Sequence, residues 1–336
     1  MIRLGIINQE TWQFFNEIFE ALQNKYFVEV YKRRSWQLPI FHSRINRSLY
    51  RYDLSKFLKE HDVVFFEWAS ELLVAASQLP KSSRIVTRLH RYEMYQWMDM
   101  VNWNTVDKII LVSQAKKSEF ITKFPDQAHK IVVCGPSTSL DKFTPDAKIF
   151  NGDIGILCNL TPRKRVYDLI LTFYELLQKN NHLHLHIGGG SDPAFVDYYI
   201  ALQYIVDSLG IQDKVTFYGN VKEPWNWYHK IDIFISNSYS EGLQVAPMEA
   251  MASGCYCLSH HWNGATELLP KENLFYTSDD LKQLILRYCQ LPENKKREQK
   301  IIMRDIAQEK FDMNKTIETI SQVIEDVASI SKGVSI

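Results

Sequence analysis

Cysteine is scarce in this 336-residue sequence, with five residues in an odd set that leaves no complete disulfide pairing. Four of the five lie in strand-like apolar runs, which indicates reduced thiols inside a cytoplasmic protein. Two of them are separated by a single residue but have no second Cys or His pair at matching spacing, so the sequence favours a structural role over a zinc site. The cysteines are Cys134, Cys158, Cys255, Cys257 and Cys289.

Long apolar runs and an excess of either charge are also missing. No run approaches the roughly 20 residues that span a membrane. The first run, Ile2–Ile7, is too short for a signal peptide and leads into a polar loop. We therefore expect a soluble protein. Basic and acidic residues balance at 39 each, which gives no general attraction for nucleic acid.

Common nucleotide and metal motifs are absent as well. The chain has no P-loop, and its glycine triplet at 188–190 does not make a G-x-G-x-x-G fingerprint because Pro193 occupies the third glycine position. A nicotinamide enzyme is therefore disfavoured. No Asp-x-Asp is present to hold a divalent ion on a diphosphate, so we expect neither a metal nor another cofactor.

Short apolar, β-branched runs alternate with amphipathic helical stretches from end to end. Two successive sets of such units predict an α/β protein with two doubly wound, Rossmann-like parallel-sheet domains. The predicted domains are residues 1–145 and 146–314, with a final helix in 315–336 that packs back on the first. The predicted strands lie near Ile2–Ile7, Val28–Tyr31, Val63–Phe66, Ile85–Leu89, Ile109–Val112, Ile131–Cys134, Ile154–Cys158, Leu183–Ile187, Val215–Tyr218, Ile233–Ile235, Cys255–Leu258 and Leu274–Tyr276.

The most informative segment contains Glu241 and Glu249, eight positions apart. It follows a buried strand, with Pro247 at a predicted helix start and Gly254 at the helix end. Glu241 is thus predicted in a loop and Glu249 in the first helical turn. Open α/β sheets bind ligands beyond the carboxyl ends of their strands, which here predicts a site in the interdomain cleft. The start of a helix also offers free N–H groups to a phosphate. The combination suits a nucleotide-sugar, although the spacing alone also arises by chance.

Two loops of the second half could face the same ligand. Three cations at 163–165 follow the first strand of the second domain and suit a diphosphate whose charge grows as it leaves. A solvated basic turn is the alternative. The triplet that contains Gly189 follows the next strand, and glycine permits close approach of the backbone to a ligand.

Polar residues also follow strands of the first domain. A histidine directly after the run Ile85–Leu89 can hydrogen-bond a sugar or transfer a proton, with a structural role as the alternative. Residues that follow the two other strands are weaker candidates for an acceptor pocket by the same geometry. These candidates are His90, Arg91, Glu67, Asn8 and Gln9.

Two further patterns carry alternatives. His182, His184 and His186 alternate in one strand, where a structural role is favoured over a metal site because no acidic or cysteine cluster is near. Residues 31–52 hold six basic residues, no acid before Asp53 and several aromatic residues. One interpretation of this stretch is contact with the cytoplasmic face of an anionic membrane. A solvated loop and helix face is an equally good interpretation.

In order and spacing, the blocks of the second half resemble the retaining glycosyltransferases of the GT-B fold, family 4 (glycosyl transferases group 1). The resemblance covers most of the second domain, and the segment from Glu241 to Gly254 is its signature. The first-domain match is weaker and rests on Arg88-Leu89-His90 and Val112-Ser113. The matching blocks are 158–164, 186–190, 215–221, 241–254 and 264–267.

The resemblance implies transfer of a hexose-type sugar from a UDP- or GDP-linked donor to a glycan, glycolipid or glycoprotein, with retention and without a metal. By similarity, Lys164 and Arg163 hold the diphosphate. Glu249 binds the ribose, Glu241 contacts the sugar ring near its C3 and C4 hydroxyls, and His90 lies near the transferred sugar. The further implied donor contacts are Asn159, Gly189, Gly242, Leu243, Gln244 and Val245.

The chain departs from the family pattern at several positions. Asn159 stands where arginine is usual, and Gln244 replaces a small residue of the signature loop. The usual glycine-rich loop after the first strand is replaced by Asn8-Gln9-Glu10-Thr11. Two rival interpretations therefore stay open, a nucleotide-sugar epimerase on the same fold and a catalytically degenerate subunit that only binds.

Overall fold

A computed structural model describes residues 1–34 and 42–330, without the side chains of 42–48. The chain divides into two compact units, the first formed by Met1–Pro136 with the helix that begins at Met313, the second by Ser137–Asp312. Each unit contains one parallel sheet with flanking helices, so the predicted α/β class is confirmed. Among the described residues, no helix is long and apolar enough to cross a membrane.

The first unit has a six-stranded sheet in the order β2-β1-β3-β4-β5-β6, with all neighbours parallel. Its strands are β1 (Arg3–Ile7), β2 (Phe27–Val30), β3 (Val63–Phe66), β4 (Arg84–Leu89), β5 (Lys108–Leu111) and β6 (Ile131–Val133). Its helices up to this point are α1 (Asn16–Lys25), α2 (His42–Glu60), α3 (Glu71–Ser77), α4 (Glu93–Gln96) and α5 (Gln114–Lys123).

Both faces of this sheet are covered, as the unbroken apolar runs require. Along β3, Val63 and Phe65 join one buried cluster, and Val64 and Phe66 join another. Successive side chains of a strand point to opposite faces. A strand that is apolar at every position therefore needs a packed layer on each side, as is typical of parallel sheets.

The second unit has a six-stranded parallel sheet in the order β12-β11-β10-β7-β8-β9. Its strands are β7 (Asp153–Leu157), β8 (His184–Gly188), β9 (Val215–Gly219), β10 (Ile233–Ser236), β11 (Tyr256–His260) and β12 (Leu274–Phe275). Its helices are α6 (Val166–Leu177), α7 (Val196–Ser208), α8 (Pro224–Tyr228), α9 (Val245–Ala252), α10 (Ala265–Leu268), α11 (Ser278–Gln290) and α12 (Glu293–Lys310).

The strand order of the second sheet reverses between β7 and β10. From β7 the chain proceeds to β8 and β9 on one side, then returns to form β10, β11 and β12 on the other. The loops that leave β7 and β10 therefore diverge at their common edge. In doubly wound sheets such a reversal opens a crevice for ligands beyond the carboxyl ends of the strands.

The last helix, α13 (Met313–Ile330), belongs to the first unit. Ile320, Ile324 and Val327 are buried in the same cluster as Leu4 and Val86 of the first sheet. The spacing of these residues forms one apolar stripe on a helix. The Tyr26 hydroxyl also donates to Glu325 at 3.0 Å, which fixes α1 against α13.

The segment after β6 belongs to the second unit from Ser137 onward, earlier than the sequence placed the boundary. The backbone N–H of Thr138 donates to the Phe311 carbonyl at 2.9 Å. The Arg304 guanidinium donates to the carbonyls of Leu140 and Phe143. These bonds tie the turn-rich residues to α12, so polarity and prolines alone did not locate the division.

Candidate functional site

Loops at the reversal point of the second sheet bring the signature segment and the cationic loop together. The loop after β10 covers residues 237–244, and α9 begins at Val245. The loop after β7 contains a short 3-10 turn at Pro162–Lys164, and α6 begins at Val166. The Tyr239 N–H donates to the Arg163 carbonyl at 3.4 Å, which joins the two loops directly.

Glu241 is the centre of this arrangement. The residue is 8% exposed, and its Oε1 accepts from Lys164 Nζ at 2.7 Å, from Gln244 Nε2 at 2.8 Å and from Arg163 Nη1. Burial alone would raise the pKa of this carboxyl, but Lys164 and Arg163 outweigh burial and hold the pKa below its usual value. Glu241 is therefore an ionised, buried carboxylate with two cations on one oxygen.

An unusual backbone conformation separates these cations from α6. Arg165 has φ 51° and ψ 39°, in the left-handed region that residues other than glycine seldom occupy. Asn237 Nδ2 donates to the Arg165 carbonyl at 2.9 Å, and Arg165 Nε donates to Asp168 at 3.1 Å. The turn reverses the chain immediately after Lys164, and the loop after β10 stabilises it.

Glu249 lies in the second turn of α9, not in the first as the sequence predicted. The helix begins at Val245, with Gln244 as its N-cap residue, and has no acidic residue in its first turn. Pro247 falls inside the first turn, where a missing N–H breaks no intrahelical bond. The preference of a helix start for acids therefore does not explain Glu249. Its Oε2 instead accepts from the buried hydroxyl of Tyr228 at 2.8 Å.

The glycine loop after β8 packs against the loop after β7. Gly189 has φ +129°, and a Cβ there would lie 1.7 Å from the carbonyl oxygen of Cys158. Leu160 N–H donates to the Gly190 carbonyl at 3.2 Å. Close contact between two protein loops thus accounts for Gly189, and a donor contact through it stays a prediction. Asn159, in the neighbouring loop, is exposed.

In the first unit, Glu67, His90 and Glu93 form one polar cluster after β3 and β4. Glu67 Oε1 is 3.1 Å from His90 Nε2, and Arg88 Nη1 is 3.4 Å from the same oxygen. Glu93 Oε1 accepts from the N–H groups of His90 at 3.2 Å and Ala69 at 3.3 Å. Glu67 and Glu93 are both fully buried, and burial raises the pKa of Glu93.

Two contacts hold the ring of His90. Its Nε2 lies 3.1 Å from Glu67 Oε1, and the ring stacks on Trp68 with centroids 4.1 Å apart and an interplanar angle of 28°. Glu93 binds the backbone N–H of the same residue. A histidine fixed in this way can present one nitrogen to a hydroxyl in a defined direction.

Among the weaker acceptor candidates, Glu67 belongs to this cluster, whereas the contacts described for Asn8 and Arg91 lie elsewhere. Asn8 Oδ1 accepts from the Glu10 N–H at 3.1 Å and so shapes its own turn. Gln9 is exposed. The Arg91 guanidinium lies over the Tyr95 ring, 5.1 Å from its centroid. Their acceptor roles stay predictions.

The alternating histidines make hydrogen bonds that a structural role predicts. His184 Nε2 is 2.8 Å from Thr216 Oγ1, and His186 lies between Asp153 at 2.9 Å and the Tyr218 hydroxyl at 2.8 Å. Burial opposes ionisation of Asp153, but His186 and Lys148 outweigh it and lower the pKa of that carboxyl. In the part of the chain that is described, no group of three or more metal-ligating side chains is present.

The basic stretch at 31–52 is described only in part, since 35–41 and the side chains of 42–48 lie outside the described residues. Arg33 pairs with Glu71 at 3.1 Å, and Arg34 pairs with Asp53. These acids neutralise two of the cations counted from the sequence. Membrane contact through this stretch stays a prediction.

Three residues of these networks were not singled out from the sequence. Tyr228 gives no signal, because an aromatic residue in a short helix is ordinary core. Glu93 was visible only as a neighbour of His90. Ser236, whose hydroxyl donates to Gln244 Oε1, was visible only as the end of a strand. Their importance lies in contacts to residues distant in the chain, which spacing does not encode.

Comparison with known proteins gives the family context of this site. The model of the family described as Glycosyl transferases group 1 matches residues 151–294, which include Lys164, Glu241 and Glu249. Mannosylfructose-phosphate synthase of Agrobacterium fabrum is 31% identical over 111 residues, 31% of this chain and 24% of that protein. Lipopolysaccharide core biosynthesis mannosyltransferase LpsB of Rhizobium meliloti is 29% identical over 84 residues, 24% of each chain. This chain thus aligns with about a quarter of the length of either relative.

The structural comparison extends over both units. Anabaena Alr3699/HepE, solved in complex with UDP, superposes with a TM-score of 0.79 over 97% of this chain and 100% of that one, at 16% identity. The same protein has been solved with UDP-glucose. At this identity the likeness shows the fold. The chain has the GT-B fold, and residues 151–294 of its second unit match the glycosyl transferases group 1 model.

Proposed function

We propose that the protein is a glycosyltransferase that moves a hexose-type sugar from a UDP- or GDP-linked donor to a glycan, glycolipid or glycoprotein, with retention and without a metal. The observation that carries the proposal is the buried Glu241 carboxylate with Lys164 and Arg163 on it, at the reversal point of the second sheet. The family match over this segment and the transferase and synthase names of the relatives support it.

The donor contacts follow from the chemistry of each group. Lys164 and Arg163 are the cations for the diphosphate, since charge-assisted bonds to phosphate oxygens are strong and directional. Glu241 accepts from sugar hydroxyls, helped by N–H groups of 242–245 at the start of α9. Glu249, held by Tyr228, accepts from the ribose hydroxyls. Asn159 and Gly189 lie in the two adjoining loops and complete the proposed donor set.

The proposed reaction breaks the bond from the sugar C1 to the diphosphate oxygen and forms one from C1 to the acceptor oxygen on the same face. The acceptor proton passes to the leaving phosphate. Lys164 and Arg163 stabilise the charge that grows on the diphosphate, which is the work a divalent ion does in other transferases. The carboxylates of Glu241 and Glu249 both have structural partners, and no covalent intermediate is assigned to either.

The first unit supplies the proposed acceptor side. His90 is the candidate for contact with the transferred sugar, because Glu67 and Trp68 fix its ring and Glu93 holds its backbone N–H. Glu67 itself has an oxygen, Oε2, that is buried and has no hydrogen-bond partner among the described residues. A buried oxygen of this kind is costly unless a ligand or a water donates a hydrogen bond to it. The hydroxyl groups of an acceptor sugar can supply that hydrogen bond.

A panel of nucleotides tests the donor site. Thermal unfolding of the wild type is followed with UDP, GDP, UDP-glucose and GDP-mannose, and one nucleotide family is expected to raise the Tm by a few degrees at saturating concentration. Chelation of divalent ions with EDTA should leave that shift unchanged. Absence of stabilisation by every nucleotide would overturn the proposal.

Release of nucleoside diphosphate from the stabilising donor then separates the rival enzymes. A transferase releases it faster when an acceptor glycan is added, whereas an epimerase returns an altered nucleotide-sugar and needs no acceptor. A binding subunit shows the Tm shift without either product. Only the first result supports the proposed function.

A further inference from the structure

Gln244 occupies the centre of the signature loop with each of its polar atoms engaged. Its Nε2 donates to Glu241 Oε1 at 2.8 Å and to Ser238 Oγ at 3.0 Å. Its Oε1 accepts from the Ser236 hydroxyl. The two serines are buried at the end of β10. Gln244 therefore connects the Glu241 carboxylate to the end of the central strand of the sheet.

Glu241 has donors of two different kinds, cations and neutral groups. Lys164 and Arg163 are cations that the proposed reaction requires on the diphosphate, and Gln244 is neutral and tied to the strand. The Glu241 carboxylate and the diphosphate of the donor compete for the same cations, so a bound diphosphate draws Lys164 and Arg163 from the carboxylate. The neutral amide has no such alternative partner. Together with the Ser238 hydroxyl, the Gln244 amide is a donor that stays with Glu241 throughout.

We infer that Gln244 is a positioning residue that keeps the Glu241 carboxylate fixed on the donor sugar while the cations bind the diphosphate. The inference rests on the proposed function and deepens it. Gln244 acts through Glu241 and does not need to touch the donor. The residue at this position therefore governs how well the sugar ring is recognised and leaves binding of the nucleotide unchanged.

Three variants separate this role from simple filling of space. Gln244→Met keeps the length of the side chain but cannot donate. Gln244→Glu keeps its shape and places a second carboxylate against Glu241. The double variant Glu241→Gln with Gln244→Met shows whether Gln244 acts through Glu241. Affinities for UDP and UDP-glucose, or for GDP and GDP-mannose if that pair stabilises the wild type, are measured by titration calorimetry of the full chain.

We expect a loss of affinity for the nucleotide-sugar and almost none for the nucleoside diphosphate. Gln244→Met binds the nucleoside diphosphate within about twofold of the wild type, and its affinity for the nucleotide-sugar falls about tenfold, the usual effect of removing a hydrogen bond to a charged group. Gln244→Glu loses more affinity for the nucleotide-sugar than Gln244→Met does, because its carboxylate repels Glu241. In the Glu241→Gln background, Gln244→Met has no further effect, because the two residues act as one unit.

Three results overturn the inference while leaving the proposed function intact. The first is a Gln244→Met protein that binds the nucleotide-sugar like the wild type. The second is an equal loss of affinity for diphosphate and nucleotide-sugar, and the third is additive losses in the double variant; either of these would mean that Gln244 only maintains the loop. A wild type that binds none of the four nucleotides refutes the proposed function itself, and this inference falls with it.

Discussion

At the scale of single residues, the site depends on carboxylates whose positions are set by neutral donors. Gln244 holds Glu241, and the Tyr228 hydroxyl holds Glu249. A buried carboxylate is costly to desolvate, so its hydrogen bonds to fixed neighbours decide where it sits and whether it stays ionised. The sequence showed the two glutamates through their spacing. It did not show the donors, because hydrogen-bond partners far apart in the chain leave no periodic signal.

The Tyr228 hydroxyl should matter for the nucleoside part of the donor. Tyr228→Phe keeps the packed ring and removes the bond to Glu249 Oε2. We expect the affinity for UDP or GDP in titration calorimetry to fall about three- to tenfold, the effect of roughly 1 kcal/mol. Tyr288→Phe is the matched control, since the Tyr288 hydroxyl is buried without a hydrogen-bond partner among the described residues. Equal affinities for both variants would contradict the role given to Tyr228.

The lowered pKa of Glu241 predicts a pH-dependent contribution to stability. Because the folded-state pKa lies below the unfolded value, the ionised carboxylate stabilises the fold above the unfolded pKa and loses this effect as the pH falls through the folded one. Glu241→Gln should therefore destabilise the protein most near neutral pH, by about 1–3 kcal/mol. In urea unfolding between pH 7 and pH 3, the difference in free energy of unfolding between Glu241→Gln and the wild type should become smaller as the pH falls. A difference that does not change with pH would argue against this ionisation.

At the scale of elements, apolar runs predicted the sheets well because parallel strands are buried on both faces. Each of the twelve predicted strand regions contains a strand. Helix starts were predicted less well. The sequence predicts Pro247 as the first helical residue, yet α9 begins at Val245, since proline is tolerated anywhere in a first turn. The loop between β7 and α6 was recognised by its charges, but its left-handed turn at Arg165 was not, because arginine gives no such signal.

The glycine loop after β8 should tolerate no side chain. Gly189→Ala places a Cβ against the Cys158 carbonyl oxygen in a backbone conformation with φ +129°. We expect a loss of roughly 3 kcal/mol or more in the free energy of unfolding. Gly210→Ala is the control, with φ +66° and nothing within 4 Å of the added carbon, and should cost about 1 kcal/mol. Denaturant unfolding compares the two, and similar losses would contradict the close loop contact.

At the scale of the whole molecule, the chain forms two units, each with a six-stranded parallel sheet. The helix α13 packs on the first unit. The stripe Ile320, Ile324 and Val327 of α13 supplies part of the apolar layer on one face of the first sheet. The alternating pattern of apolar runs gave the two-sheet architecture. The division between the units depended on particular bonds, such as those from Arg304, and was placed too late by composition. The cluster of Glu67, His90 and Glu93, which we propose for the acceptor side, arises from contacts between two loops, and residue patterns do not predict such contacts.

Removal of the apolar stripe should destabilise the protein without altering the donor site. Ile324 is fully buried, so Ile324→Ala is expected to lower the free energy of unfolding by about 2–5 kcal/mol. Ile301→Ala is the control, since Ile301 is an exposed isoleucine on α12. The folded variant should still bind the nucleotide. Loss of binding at a temperature where the variant remains folded would contradict the assignment of the donor site to the second unit.

The central claim is that Lys164, beside Glu241, holds the diphosphate of a nucleotide-sugar. Titration calorimetry with UDP, GDP and their glucose and mannose conjugates tests it on the wild type, on Lys164→Ala and on Lys179→Ala, which changes an exposed lysine just past the other end of α6. We predict that the wild type binds one of these nucleotide families, that Lys164→Ala weakens this affinity at least about tenfold, and that Lys179→Ala stays within about twofold. A wild type that binds none of them, or two lysine variants with equal affinity, would contradict the account.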